Sequence, residues 1–234
     1  MTHPRVVSLV PSATETLFAL DVPPVGCTRF CDGAGLPTVG GTKNIDVAAV
    51  LALAPDLVVV NDEENRREDA EQLEARGLAL HSISPRSVAD VGPAVCALAA
   101  AVDVEAPAPF DAWKEWQHNT RASARRSAFV PIWRRPWMSL AADTYGSSLL
   151  AHVGITNVFA DAADRYPEVS LTEVAARGPD LVLLPSEPYA FAERHAGELR
   201  ADFPDAHTMF VDGRDLFWWG IRTPAAAARL RAVG

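Results

Sequence analysis

The sequence predicts an α/β protein of two lobes, each built on a parallel sheet, and three observations predict it. The stretches Pro55-Asp56-Leu57-Val58-Val59-Val60 and Pro179-Asp180-Leu181-Val182-Leu183-Leu184 are near copies in the two halves. Each follows a short amphipathic run, Ile45 to Ala54 or Ser170 to Gly178, and opens into a polar loop, Asn61-Asp62-Glu63-Glu64 or Pro185-Ser186-Glu187-Pro188. Proline removes a backbone donor and ends the helix, and the apolar run behind it reads as a strand buried on both faces. Its recurrence at matching places argues for a duplicated architecture. Second, strands and helices alternate in both halves, as parallel βαβ units require. Third, a long helical stretch from Phe110 to Arg126 separates the repeats behind the composition break Glu105-Ala106-Pro107-Ala108-Pro109, and it is assigned as a single connecting helix. The expected division is a lobe over residues 1–85, a helical connector over 86–126 and a lobe over 127–234.

Taken in order, Val6 to Val10 is a strand, and Pro11 to Glu15 starts a helix. Ser12 is the expected N-cap, with Glu15 three residues on at capping-box spacing. Val25 to Thr28 is a second strand, and the aperiodic loop Arg29 to Gly35 belongs at a strand's carboxyl end. A charged helix near Glu64 to Arg76 and a strand from Ala79 to Ile83 follow the first repeat. Ser87 and Asp90 again have capping-box spacing, and Val88, Val91, Val95, Leu98 and Val102 mark one buried helical face. Gly92-Pro93 inside that run predicts a kink or a late start. In the second half Phe129 to Trp133 is a strand, with Pro131 signalling an edge or bulge, and Thr144 to Val153 is a helix. Behind the second repeat come a helix near Ala190 to Leu199, a strand from His207 to Val211, a turn, and a short helix from Pro224 to Ala232.

Composition narrows the function classes. Of 234 residues, 49% are hydrophobic and 22% charged, ordinary values for a soluble globular protein. The net charge of −9 argues against nucleic-acid binding, which needs a basic surface to neutralise phosphates. No apolar run approaches the roughly 18 residues of a membrane span, so no membrane insertion is expected. Met1 to Pro4 runs straight into the first strand without a basic-then-apolar leader. The chain as written is therefore expected to be cytoplasmic, or periplasmic or extracellular if it is a trimmed mature form. Cys27 and Cys31 do not have the CxxC spacing of redox or zinc sites, and free thiols in a reducing compartment are expected. The six histidines are scattered without H-x-H or HExxH spacing, so no metal site is predicted. Gly146-Ser147-Ser148 lacks the G-x-S-x-G elbow, and Gly33-x-Gly35 and Gly40-Gly41-Thr42-Lys43 complete no nucleotide-binding loop, so no enzyme is predicted. A hydrogen-bonded Asp143–His152 pair would favour the opposite reading, a cytosolic enzyme or biosynthetic accessory.

Ligands of open α/β sheets sit beyond the carboxyl ends of strands. That rule selects Ser12, Phe30, Cys31, Asp32, Asp62 and Glu63 in the first half. In the second half it selects Trp133, Arg134, Trp137, Glu187, Tyr189, Trp218, Trp219 and Arg222. Four of the six tryptophans fall in two of these loops. Such rings suit a large flat macrocycle or aromatic chelate, with a few polar groups fixing orientation. About half of the four are expected in the core, as ordinary tryptophan burial dictates. The arginines suit ligand carboxylates, phosphates or catecholate oxygens, or pair with Asp143, Asp212 or Asp215.

The run Arg5-Val6-Val7-Ser8-Leu9-Val10-Pro11-Ser12-Ala13-Thr14-Glu15-Thr16, together with Val25-Gly26, Gly40-Gly41, Ala52-Leu53-Ala54-Pro55-Asp56-Leu57-Val58 and the long central helix, resembles a known family. It is similar to the helical-backbone (class III) substrate-binding proteins of vitamin B12 and ferric-siderophore ABC importers, the cobalamin-binding members above all. The resemblance implies two Rossmann-like lobes joined by one rigid helix, with a metal-bearing small molecule in the cleft between them. It implies noncatalytic binding of cobalamin or another corrinoid, with no built-in cofactor, and ferric siderophore or haem as the alternative ligand. Two departures stand out. Importer members carry a secretion or lipoprotein leader, and they present an acidic residue at each lobe tip to dock on an ABC permease. Here those positions fall near Arg67, with Glu68 adjacent, and at Gly220, which argues against permease docking and for a carrier or scavenger.

Overall fold

In a computed structural model of the chain, which describes residues 3–33, 35–106 and 126–233, each half builds one four-stranded sheet. The first contains β1 (Val6–Ser8), β2 (Gly26–Cys27), β5 (Leu57–Val60) and β6 (Ala79–Ser82) in the order β2-β1-β5-β6, all parallel. The second contains β7 (Arg126–Phe129), β8 (Ile155–Asn157), β9 (Leu181–Pro185) and β10 (His207–Val211) in the order β10-β9-β7-β8, again all parallel. Numbered within its own sheet, each has the order 2-1-3-4 from one edge to the other. The sequence repeat is thus a repeat of topology. A short antiparallel pair, β3 (Gly40–Gly41) with β4 (Asn44–Ile45), lies between β2 and β5 in the chain and is not signalled by any turn motif in the sequence reading.

The repeated Pro-Asp-Leu-Val segment has the same job twice. Asp56 Oδ2 accepts the backbone N–H of Arg5 at 2.8 Å, immediately before β1. Asp180 Oδ2 accepts the backbone N–H of Ser127 at 2.6 Å and its hydroxyl at 2.8 Å, at the start of β7. The carboxylate therefore sets the register of the third strand against the first, Val6 opposite Leu57 and Ala128 opposite Leu181. The apolar residues that follow are buried completely, Val58 and Val59 in one copy, Leu181 to Leu184 in the other.

The helices are α1 (Pro11–Ala19), α2 (Val47–Ala52), α3 (Arg67–Glu74), α4 (Val88–Ala101), α5 (Tyr145–Val153), α6 (Leu171–Arg177), α7 (Glu193–Asp202), α8 (Gly213–Phe217) and α9 (Thr223–Arg231). Their caps follow side-chain chemistry. Asp46 accepts from Ala49 N at 3.0 Å, Ser170 from Glu173 N at 3.1 Å, and Thr144 from Ser147 N at 3.3 Å. Gly178 closes α6 at φ 57°, the left-handed region where a Cβ is penalised.

Several expectations are corrected. Ser12 is not the cap of α1: Val10 is, Pro11 takes the first helical turn, and Ser12 follows it without a capping bond. Proline prefers that position because its missing N–H would be unpaired there in any case. The strand expected from Phe129 to Trp133 ends at Phe129, ahead of the Pro131 that cannot donate to a ladder. Helix α4 begins at Val88 and runs to Ala101, so Gly92-Pro93 imposes no late start. The turn expected after β10 is the helix α8. The expected helix Phe110 to Arg126 lies outside the described residues except for Arg126, which opens β7.

The described residues separate into two units. The first takes residues 3–85, 90–106 and Trp219–Ile221; the second takes Arg86–Ala89, 126–218 and 222–233. Each has its own core. Val7, Leu9, Val50, Val58 and Leu73 fill the first. Phe129, with edge-on Phe159 at 6.0 Å and Phe203 at 6.4 Å, centres the second.

Candidate functional site

In the first unit, the carboxyl ends of β1, β2 and β5 carry the residues the sequence selects. Ser12 is 2% exposed and its hydroxyl has no hydrogen-bond partner. Phe30 stands out at 53% exposure, with the Arg29 guanidinium 5.0 Å from its ring. Cys31 is half-buried, its Sγ 3.2 Å from Thr14 Oγ1 and 3.2 Å from Thr28 Oγ1. Asp32 and Asp62 are exposed and Glu63 is half-buried. The loop behind β5 is held by buried amides. Asn61 Oδ1 accepts from Glu63 N at 2.8 Å and Glu64 N at 3.1 Å, while Asn65 Nδ2 donates to Leu9 O at 3.2 Å and Thr42 O at 3.1 Å. Asn61 and Asn65 therefore fix where Asp62 and Glu63 project.

In the second unit the chain leaves β7 at Phe129 and makes a tight loop. Ile132 N donates to Met138 O at 2.9 Å and Met138 N to Trp133 O at 3.2 Å. This places Trp133, Arg134 and Trp137 beside Tyr189, which follows β9. Trp133 meets Tyr189 edge-on at 5.5 Å, Tyr189 meets Phe191 at 4.8 Å, and Trp137 stacks on Phe191 at 6.1 Å with 3° between planes. Trp137 and Tyr189 pack on the core, while Trp133 remains 45% exposed. His195 closes the cluster from below. It is 1% exposed, its Nδ1 accepts the Ala192 N–H at 2.9 Å, and its ring is 5.5 Å from Tyr189. Burial, with Arg194 and Arg134 nearby, holds its imidazole below the usual histidine range. Phe191 and His195 escape the sequence reading. A signal exists, because His195 stands at the third position of α7, where a side chain reaches back to the cap.

A second group gathers where β9 and β10 end. Glu187 accepts the Trp218 indole N–H at 2.6 Å, and Arg214 lies 4.0 Å from its carboxylate. Burial pushes the Glu187 carboxyl above its ordinary range, against the opposing pull of the Trp218 hydrogen bond and Arg214. Two guanidinium groups lie over the Trp218 ring, Arg214 at 4.8 Å and Arg222 at 5.3 Å. Asp215, 3% exposed, binds Arg222 at 3.1 Å and Arg229 at 2.6 Å. Trp218 and Trp219 are 6% and 3% exposed, so the Trp218–Trp219 loop supplies a buried frame rather than an open ring face.

The arginines resolve into pairs. Arg134 bonds Glu198 and lies 5.5 Å from the Trp137 ring, and Arg222 belongs to Asp215. Asp143 forms ion pairs with Arg86 and Arg165, both at 3.2 Å. Among the described residues no three His, Cys, Asp or Glu side chains gather as a metal-holding group, and no helix is long and apolar enough to cross a membrane.

The pattern of the periplasmic binding protein family matches residues 6–197. The vitamin B12-binding protein of Salmonella paratyphi A is 27% identical over 195 residues, spanning 77% of this chain and 72% of its own. That of Vibrio campbellii is 26% identical over 210 residues, spanning 82% and 71%. Among solved structures, the periplasmic vitamin B12 binding protein BtuF of Vibrio cholerae superposes with a TM-score of 0.81 at 18% identity, over 98% of this chain and 96% of that one. The periplasmic heme binding protein HutB of Vibrio cholerae superposes at 0.79 and 19% identity, over 98% of each. These structures share the fold. With two parallel sheets of one duplicated topology and a family pattern running through both, the chain belongs to the periplasmic binding protein family.

Proposed function

We propose that this protein is a noncatalytic carrier or scavenger of a large metal-bearing small molecule, cobalamin or a related corrinoid first. The observation that carries the reading is the aromatic shelf at the carboxyl end of the second sheet, where Trp133 is 45% exposed and meets Tyr189 edge-on. A flat macrocycle gains by covering such a ring, since each buried aromatic contributes a large apolar area with few rotors to freeze. Glu187 and Trp218 hold the neighbouring wall, and the exposed Phe30, with Cys31, Asp32, Asp62 and Glu63, supplies the ligand-bearing edge of the first unit. The likeness to proteins named for binding vitamin B12 supports the same ligand class. The reading carries with it the lobes expected from the sequence, 1–85 and 127–234, joined by 86–126.

A ferric siderophore or haem is the second choice. Arg134 and Arg222 already serve Glu198 and Asp215, which weakens the case for an anionic ligand held by those guanidinium groups. Docking on an ABC permease is not favoured. Arg67 stands in an exposed pair with Glu71, and Gly220 lies against α1, where an added Cβ would meet Thr16 Oγ1 at 2.2 Å. The three free cysteines suit a reducing compartment, which cell fractionation tests.

Titration of cyanocobalamin into the purified protein, followed by tryptophan fluorescence and calorimetry, tests the proposal. Saturable one-to-one binding at micromolar or tighter affinity, weakened about tenfold or more by Trp133→Ala, is expected. Silence toward cyanocobalamin, with haem and a ferric siderophore binding instead, would move the ligand to the second choice; silence toward all three would overturn the carrier reading.

A further inference from the structure

The turn that carries Cys31 surrounds a half-buried thiol with hydroxyl groups. Cys27 ends β2, and the next four residues turn back so that Cys31 N donates to Thr28 O at 3.1 Å. The turn brings Cys31 Sγ within 3.2 Å of Thr28 Oγ1 and 3.2 Å of Thr14 Oγ1, the latter in the first turns of α1. Thr28 follows Cys27 directly in the chain, so its contact with Cys31 sets the two cysteines on either side of one tight turn. Gly33 closes the turn on Cys27, where a Cβ would lie 2.5 Å from Cys27 Sγ. The Thr14 hydroxyl has a competing acceptor, Val10 O at 3.0 Å, and only one proton. A charged sulfur wins that competition because hydrogen bonds to an ionised acceptor are about twice as strong. Thr14 and Thr28 thus offer Cys31 Sγ two hydroxyl partners, a setting that favours its thiolate.

We propose that Cys31 and Cys27 form a thiol–disulfide exchange site: Cys31 attacks a low-molecular-weight disulfide and Cys27 resolves the adduct into an internal disulfide. In the first step the Cys31 thiolate forms a bond to one sulfur of the small disulfide, and the other sulfur leaves as a thiolate. In the second step Cys27 loses its proton to solvent or to the departed thiolate and attacks Cys31 Sγ, expelling the remaining half. Two protein thiols are oxidised and one small disulfide is reduced to two thiols, so atoms and electrons balance. The order of attack follows from access. Cys27 is 2% exposed, whereas Cys31 is half-buried at a loop.

The electrostatics agree with this assignment. The Cys27 hydrogen bond, with Thr14 and Thr28 adding to it, brings the Cys31 thiol down to about 6 against the opposing effect of burial. The Cys31 partner and burial push Cys27 up. Cys96, on α4 and away from this turn, is an internal control.

The test is mild oxidation of the intact protein with glutathione disulfide, followed by alkylation and tryptic mapping. Cleavage at Arg29 separates the two cysteines, so the internal disulfide links the peptides 6–29 and 30–43 and dithiothreitol releases them. Cys27→Ser is expected to trap glutathione on Cys31, and Cys31→Ser to leave Cys27 unmodified. Before oxidation, iodoacetamide at pH 6 is expected to label Cys31 about tenfold faster than Cys96. The advantage of the Cys31 thiolate is partly offset by the weaker nucleophilicity of a low-pKa sulfur. Thr14→Val with Thr28→Val is expected to reduce that advantage severalfold while the circular dichroism stays native. Three cysteines still free after oxidation, or glutathione on Cys96 as readily as on Cys31, would overturn the proposal.

Discussion

Glu187 shows how one side chain joins fold and site. Its carboxylate accepts from Trp218 at 2.6 Å, and its backbone is packed so closely on Gly213 that a Cβ there would meet Glu187 N and O at 2.6 Å. Gly213→Ala must therefore displace the Glu187–Tyr189 loop. It is expected to weaken cyanocobalamin binding by an order of magnitude while costing about 1–3 kcal/mol of stability, as overpacking commonly does, read by calorimetry and urea unfolding. The Glu187 carboxyl is raised in the folded state because burial disfavours its charge. The unfolded chain then binds fewer protons than the folded one, so this group's contribution is complete below the unfolded value and is lost as pH rises through the folded one. Relative to wild type, Glu187→Gln is expected to gain melting temperature between about pH 4.5 and neutral. A difference in melting temperature that stays flat across that range would sink the assignment. Ser12, by contrast, has a hydroxyl that lies buried and unpaired, and no cap explains its position.

At the element scale, the two Pro-Asp-Leu-Val copies are brackets as much as strands. Proline ends the incoming helix, aspartate grips the chain at the start of the first strand, and the apolar run supplies the sheet interior. Removing either carboxylate, Asp56→Ala or Asp180→Ala, is expected to destabilise by about 1 kcal/mol, the net worth of an ordinary hydrogen bond. Asp180 accepts both from the Ser127 N–H and from its hydroxyl, and these hold its carboxyl below the usual range. Its contribution is present above the unfolded value and is lost as pH falls through the folded one. Urea unfolding at neutral pH and near pH 3 would show the Asp180→Ala defect shrinking in acid.

For the whole molecule, duplication is the dominant fact. Both sheets have the same strand order, both place loops at the carboxyl ends, and each has its own apolar core. Because Asp56 and Asp180 belong to different units and bond different residues, Arg5 and Ser127, their substitutions are expected to add within about 0.5 kcal/mol in the double variant. A larger coupling energy would show that the two sites interact. The loops have diverged while the brackets have not. The first sheet ends in acidic and thiol-bearing turns around Phe30, and the second in a wall of aromatic rings and guanidinium groups.

The parallel α/β architecture, its duplication and the strand-end loops were determined by the sequence alone, because they rest on short-range effects. Proline ends helices, unbroken apolar runs seek a two-sided burial, and three-residue spacing supports caps. Even so, local rules compete, and at Pro11 the ring's preference for the first helical turn displaced Ser12 from the capping role that its residue type suggests. Tertiary structure alone decided which rings are open and which ions are paired. Trp133 and Trp218 are both tryptophans in strand-end loops, yet one is 45% exposed and the other 6%. Exposure depends on what the fold brings alongside, here Tyr189 for the first, Glu187 with two arginines for the second. The same holds for Cys31, whose spacing from Cys27 matches no redox motif. One of the hydroxyl groups on its sulfur is that of Thr14, contributed by α1 across 17 positions of chain. Contacts of that kind are made by packing, and no periodicity in the chain encodes them.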